Sequence, residues 1–417
     1  MAYTFSKSMA ALTALKRRPL ATELLRKLLR IVRPRTATPL RASDTLWLYD
    51  NIAFSSATAA SGWTAEFIAA YFLADSGRDV AAVVAQISEE LGLADDNAAE
   101  VVAERVQPFL DLVLEGRTVE VDFAGAGSVL LGPSDAGGVS VNVLALPGGP
   151  YADGQEVRAS ARLPAGIDES KVLGSMRTRF AGADGWGVVS GASVLLLPPS
   201  SLHHPAAPRA DMFPSPRPPP PQTDIDDTIK VTEVRDRVKL LRHTFALQPE
   251  AVAGTPALYG LLDRALRPAW FYLSASPYNL YPTLSAFVHA HYPQGQLLLR
   301  EMTFQELESF VRSLTVGTQQ YKESELARLL GHLPARKWVF VGDSTQKDPE
   351  SYAATYRRHP HAVKHIWIRI VEGVNLAEER ALNSDDRFAS AFRDVPTDVW
   401  RTYRHPAELQ ELVGKIV

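Results

Sequence analysis

The carboxyl-terminal half of the chain predicts an α/β domain built on a doubly wound parallel sheet. From Thr223 onward, short apolar runs at 270–273, 296–299, 338–341 and 365–370 alternate with helical stretches. Acidic and hydroxyl side chains cluster at the ends of two of these runs and in a turn ahead of them. In such sheets, ligands bind outside the carboxyl ends of the strands. A proline-rich stretch at 199–222 divides this half from one of different pattern.

The order of segments follows from composition. The 417 residues are enough for two or three domains. With 46% apolar and 22% charged residues the composition is that of an ordinary globular protein. The net charge of -3 argues against a polyanion binder, so no nucleic-acid partner is expected. Cysteine is absent, which excludes disulfides and thiolate metal sites and fits a cytoplasmic protein. Residues 1–40 form a basic amphipathic amino-terminal segment. Leu24, Leu25, Leu28, Leu29 and Val32 fall on one helical face, with Arg26, Lys27 and Arg30 off it. Such a helix suits peripheral contact with an anionic membrane, a mitochondrial targeting role, or packing on the domain behind it.

Residues 41–198 read as a helical segment followed by a small antiparallel β-sandwich. Phe67, Ala70, Tyr71 and Ala74 have helical spacing, and 80–91 and 98–114 repeat it, with Pro108 kinking the last. The runs 119–123, 139–144 and 157–162 alternate apolar and polar residues between Gly- and Pro-rich turns, as short strands do. Residues 199–222 are a Pro-rich linker, and 223–417 the α/β domain. Pro216 and Pro219 have the spacing that SH3-type domains read, so such proteins are candidate partners. A semi-rigid spacer is the alternative.

Four groups carry chemistry. Asp224 and Asp226, two residues apart in a turn, can face one reacting centre. One can attack phosphorus while the other moves the proton. Asp343 directly follows a buried run, where a charge needs a cation, and Asp348 is placed to assist. Their oxygens suit Mg²⁺. A hydroxyl at Ser274, or Ser276, can donate to a phosphoryl oxygen, and Lys322 can neutralise it. His359, His361 and His365 lack acidic companions and read as surface or core histidines. There is no GxxxxGK[ST] and no HExxH.

In this order, DxDxT, Ser, Lys and GDSxxxD form the pattern of haloacid-dehalogenase-like phosphatases. The strings beginning at Asp224, Leu273 and Val341 resemble the catalytic domain of the fungal actin-patch phosphatidate phosphatase family. The segment at 44–54 resembles the family more weakly. The resemblance implies hydrolysis of phosphatidate to diacylglycerol with Mg²⁺. It implies Asp224 as nucleophile and Asp226 as acid/base. Thr228, Ser274 and Lys322 would bind substrate, and Asp224, Asp226, Asp343 and Asp348 the metal. A phosphatase for a soluble phosphomonoester and a non-catalytic adaptor are the alternatives. One physical departure stands out. Prolines at 218–221 lack the N–H that a buried strand donates, so no contiguous strand can lead into Asp224. Residues 194–197 are the candidate strand, with the prolines looping out. Alternatively, residues 203–222 are foreign to the functional protein.

Overall fold

The computed structural model describes residues 37–73, 96–123, 125–192, 227–233, 237–300 and 318–416, with isolated positions between 81 and 92. Residues 1–36 of the basic amino-terminal segment, the proline-rich linker, residues 194–197, Asp224 and Asp226 lie outside the described residues.

The amino-terminal half is one curled mixed sheet. Its strands are β1 (Thr38–Pro39), β2 (Asp44–Leu48), β3 (Asn51–Ser55) and β4 (Trp63–Leu73), then helix α1 (Asp96–Leu110). β5 (Leu112–Val113), β6 (Arg117–Asp122), β7 (Ser128–Leu131), β8 (Val139–Ala145), β9 (Glu156–Ala161) and β10 (Ser175–Ala181) complete it. The order is β1-β6-β9-β10-β3-β4-β2, with β5 and β8 on β4 and β7 on β6. β4 and β6 are separated in this order, yet Phe67, Tyr71, Val119 and Val121 share one core. The sheet therefore wraps around its own interior.

This corrects two expectations. The helix expected around Phe67, Ala70 and Tyr71 is the eleven-residue strand β4, paired with β2, β3, β5 and β8. Both of its faces are buried, so polar residues do not alternate along it and period-two patterning is lost. A continuous apolar run then mimics a helix. Of the helical reading of this region, α1 is retained over 96–110, with Pro108 inside it, and the described positions within 80–91 are helical, the rest of that stretch lying outside the described residues. The sandwich is also not wholly antiparallel, because β1 pairs with β6 and β3 with β10 in parallel.

The second sheet is parallel throughout. In chain order it holds β11 (Trp186–Ala192), α2 (Thr255–Leu266), β12 (Ala269–Pro277), α3 (Tyr281–His291), β13 (Gly295–Arg300) and α4 (Thr318–His332). It continues with β14 (Lys337–Asp343), α5 (Asp348–Arg358), β15 (Val363–Arg369), α6 (Leu376–Leu382), α7 (Asp385–Ala391), β16 (Trp400–Tyr403) and α8 (Gln410–Ile416). The four apolar runs read from the sequence fall in β12, β13, β14 and β15. The strand order is β13-β12-β11-β14-β15-β16. The chain enters at the middle, moves out to β13, and returns to β14 on the other side. This is a doubly wound sheet whose direction switches between β11 and β14, the place where such sheets bind ligands.

Its central strand comes from ahead of the proline-rich segment. β11 pairs with β12 on one side and β14 on the other. The proline objection is thus met by a strand at 186–192. Two glycines hid it by diluting its apolar character. Gly187 is required there, since a Cβ would lie 2.5 Å from the Trp338 ring.

Both faces of the parallel sheet are covered. Leu258 and Leu262 of α2, Val288 of α3 and Val413 of α8 pack on one face with Trp270 and Val339. Leu326 and Leu330 of α4, Ala353 of α5 and Phe388 of α7 cover Phe271 and Phe340 on the other. The curled sheet joins the first of these cores through Trp47, Tyr49, Ile68 and Phe72. The Tyr49 ring centroid lies 3.7 Å from that of Tyr281, and its hydroxyl donates to the Tyr278 carbonyl. Beside it, Asp50 accepts from Gln294 Nε2 at 2.9 Å and from the Arg177 amide at 2.7 Å, with His289 Nε2 at 2.8 Å. Burial alone would raise the Asp50 carboxyl. The His289 contact, the Arg177 amide and both side-chain charges outweigh it and hold the group below its ordinary value.

A depressed carboxylate stabilises the fold above its unfolded-state value, and that contribution is lost as pH falls through the folded-state value. Asp50→Asn is therefore expected to lower the denaturant midpoint at neutral pH. The difference from the parent protein shrinks progressively below about pH 4, as the carboxylate is protonated first in the unfolded state and, at lower pH, in the folded one. A pH-independent difference in urea titrations would refute this assignment.

Candidate functional site

The carboxyl ends of β12, β11 and β14 are level with one another. Ser274 pairs with Ala192, and Ser190 pairs with Val341 two residues before Asp343. Adjacent strands lie about 4.8 Å apart, so Ser274 and Asp343 flank the end of β11 at roughly 10 Å from each other. Ser274 is buried, and its Oγ accepts from the Ser276 amide at 3.0 Å.

Asp343 ends β14 with no exposed surface. Its Oδ2 accepts from Thr228 Oγ1 at 3.0 Å, and its Oδ1 from the Thr345 amide at 2.7 Å and hydroxyl at 2.5 Å. These hydrogen bonds come from neutral donors. Asp348 opens α5, again with no exposed surface. Its Oδ2 accepts from the Asp343 amide at 3.2 Å, while Oδ1 meets Lys322 Nζ in a buried ion pair. Burial pushes the Asp348 carboxyl up to about 6. Lys322 opposes this and the neighbouring Asp343 charge adds to it.

Thr228, Lys322, Asp343 and Asp348 thus form one connected buried cluster, with Ser274 across the end of β11. Two glycines make room for it. A Cβ on Gly342 would lie 2.5 Å from Asp348 Oδ2, and one on Gly191 2.6 Å from the same atom. Gly191 and Arg369 were not singled out in the sequence. Arg369 is buried beside Asp343 in the β14–β15 register and donates to the Asp227 carbonyl at 2.9 Å. It thereby fixes the backbone at Asp227, within the DxDxT string, where φ is 72°. Its signal was available, since an arginine ending an apolar strand must find an acceptor.

The supports come from both halves of the chain. Lys322 lies on α4, and Arg328 of the same helix pairs with Glu66 of β4 as well as with Glu325. Helix α1 shares a core with Ala275, next to Ser274, and with Tyr321, next to Lys322.

The donor set fits a hard cation, because Asp343 and Asp348 offer carboxylate oxygens in a closed site. Among the described residues, no three His, Asp or Glu side chains gather as a metal cage. Asp224 and Asp226 lie outside the described residues.

Residues 223–370 match the family described as phosphatidate phosphatase APP1, catalytic domain. Phosphatidate phosphatase APP1 of Saccharomyces cerevisiae is 31% identical over 150 residues, 35% of this chain and 25% of its own length. An uncharacterized protein of Schizosaccharomyces pombe is 26% identical over 152 residues, 36% of this chain and 24% of its own. The chain spans about a quarter of the length of the curated relatives it matches. The matched span includes β12 to β15 and leaves β11 and β16 outside.

Breaking a buried ion pair strands the remaining charge. Lys322→Met is expected to cost about 3–5 kcal/mol in chemical denaturation, and Lys322→Met with Asp348→Leu to recover most of it. Equal losses in the single and double variants would contradict the pairing.

Proposed function

We propose that this chain is a Mg²⁺-dependent phosphatidate phosphatase that converts phosphatidate to diacylglycerol and phosphate. One observation carries the reading. The span similar to a phosphatidate phosphatase catalytic domain includes Thr228, Ser274, Lys322, Asp343 and Asp348, at the switch point of a parallel sheet.

In this proposal an Asp224 oxygen attacks phosphorus as the bond from phosphorus to the glycerol oxygen breaks, leaving an aspartyl-phosphate. Asp226 gives its proton to the departing diacylglycerol oxygen. It then takes a proton from the water that attacks the phosphorus of the aspartyl-phosphate. Phosphate leaves and the Asp224 carboxylate is restored. Lys322, fixed by Asp348, offsets the charge of the phosphoryl group, and the Ser274 hydroxyl donates to one of its oxygens. Thr228 holds Asp343 in place through its hydroxyl. Asp224, Asp226, Asp343 and Asp348 would hold Mg²⁺, which when bound neutralises charge on the nucleophile and the phosphoryl group.

The setting is proposed to be a membrane surface reached from the cytoplasm, since phosphatidate resides in membranes. No helix among the described residues is long and apolar enough to cross one. The basic segment at 1–40 supplies charge of the right sign for anionic lipid. Prolines 216 and 219 remain a proposed SH3 docking site.

The test is phosphate release from phosphatidate in mixed micelles, with Mg²⁺ or EDTA, for the parent chain, Asp224→Asn and Ser274→Ala. Release should require Mg²⁺ and fall by at least about 10³-fold in Asp224→Asn. The Ser274→Ala loss should be smaller, on the order of tenfold to a hundredfold, as for one charge-assisted hydrogen bond. Release from a soluble aryl phosphate but not from phosphatidate would move the reading to a soluble substrate.

A further inference from the structure

The loop from Gly342 to Asp348 is clamped at nearly every polar group. Ser344 Oγ accepts from the Val371 amide, and the Ser344 amide donates to the Arg369 carbonyl. Both polar groups of Thr345 donate to Asp343. Lys347 pairs with Glu350, and Asp348 with Lys322. Arg387 spans the outside, donating to the carbonyls of Ser344 and Gln346 and pairing with Glu350.

Gln346 is the exception. The residue is 1% exposed, and neither Oε1 nor Nε2 of its side chain meets a hydrogen-bond partner. A buried amide without partners is costly, and native proteins seldom leave both ends unsatisfied. Arg387 fixes its carbonyl, so the residue is anchored in the loop that joins Asp343 to Asp348, the two carboxylates of the site.

We propose that Gln346 is a further substrate-binding residue, whose Nε2 donates to a phosphoryl oxygen of the bound phosphomonoester. This rests on the phosphatase reading above. An oxyanion without hydrogens is an acceptor, so it matches the amide's donor end. The contact is made equally in the ground and transition states, so its loss appears in KM rather than kcat.

The test uses the full chain and two variants. Gln346→Met removes both orphaned polar atoms at similar volume, and Gln346→Glu replaces the donor by an anion in the same shape. Gln346→Met is expected to melt without ligand at or above the parent temperature. Its KM for phosphatidate should rise roughly tenfold or more with kcat little changed, as for one lost hydrogen bond to a charged group. The rise in melting temperature given by inorganic phosphate with Mg²⁺ should shrink in step. Gln346→Glu should show the same losses more strongly, and it decides the matter if the methionine variant does not fold. Unchanged KM and phosphate protection in a variant, with an active and protected parent, would overturn the role of Gln346 and leave the phosphatase reading intact. A fall in kcat at constant KM would overturn it too. A parent that neither hydrolyses phosphatidate nor gains stability from phosphate would overturn both.

Discussion

Asp348 and Lys322 are both wholly buried, and much of the site is built around that pair. Charges removed from water persist only against a partner with further hydrogen bonds. The Asp343 amide supplies one, which fixes the β14–α5 turn. The space comes from Gly342 and from Gly191 on the neighbouring strand, since any side chain at either position would collide with the Asp348 carboxylate. Lys322 is brought in by α4, so that helix must lie against α5 over the same sheet face. A local electrostatic requirement thus fixes the packing of two helices and the composition of two strands.

The same requirement ties the two halves of the chain together. β11, which carries Gly191, follows the curled sheet directly in sequence and lies at the centre of the parallel one. Arg328 anchors α4 to Glu66 of the curled sheet, and Tyr49 packs between Tyr278 and Tyr281 after β12. The amino-terminal half is therefore part of the platform on which Ser274 and Lys322 stand.

Much of the site was legible because its chemistry imposes residue types. A carboxylate straight after a buried run, as at Asp343, needs a partner whatever the fold. The short continuous apolar runs at 270–273, 296–299, 338–341 and 365–370 were legible as strands because parallel sheets are buried on both faces. The same physics misled at β4, where burial on both faces erased the alternation that distinguishes strand from helix. β11 and β16 were missed for the opposite reason. Glycines demanded by Trp338 and Asp348 dilute the first, and the second is a polar four-residue strand at the sheet edge.

The sequence by itself determined the identity and order of the polar groups, the alternation of apolar runs, and the impossibility of a strand through the prolines at 218–221. These rest on single residues and on local periodicity. Only the tertiary structure decided which strand fills the middle of the sheet, that Lys322 meets Asp348, and that Arg369 holds the Asp227 carbonyl. Those pairings join residues 26 to 142 positions apart. They are set by strand order and helix packing, which no local pattern encodes.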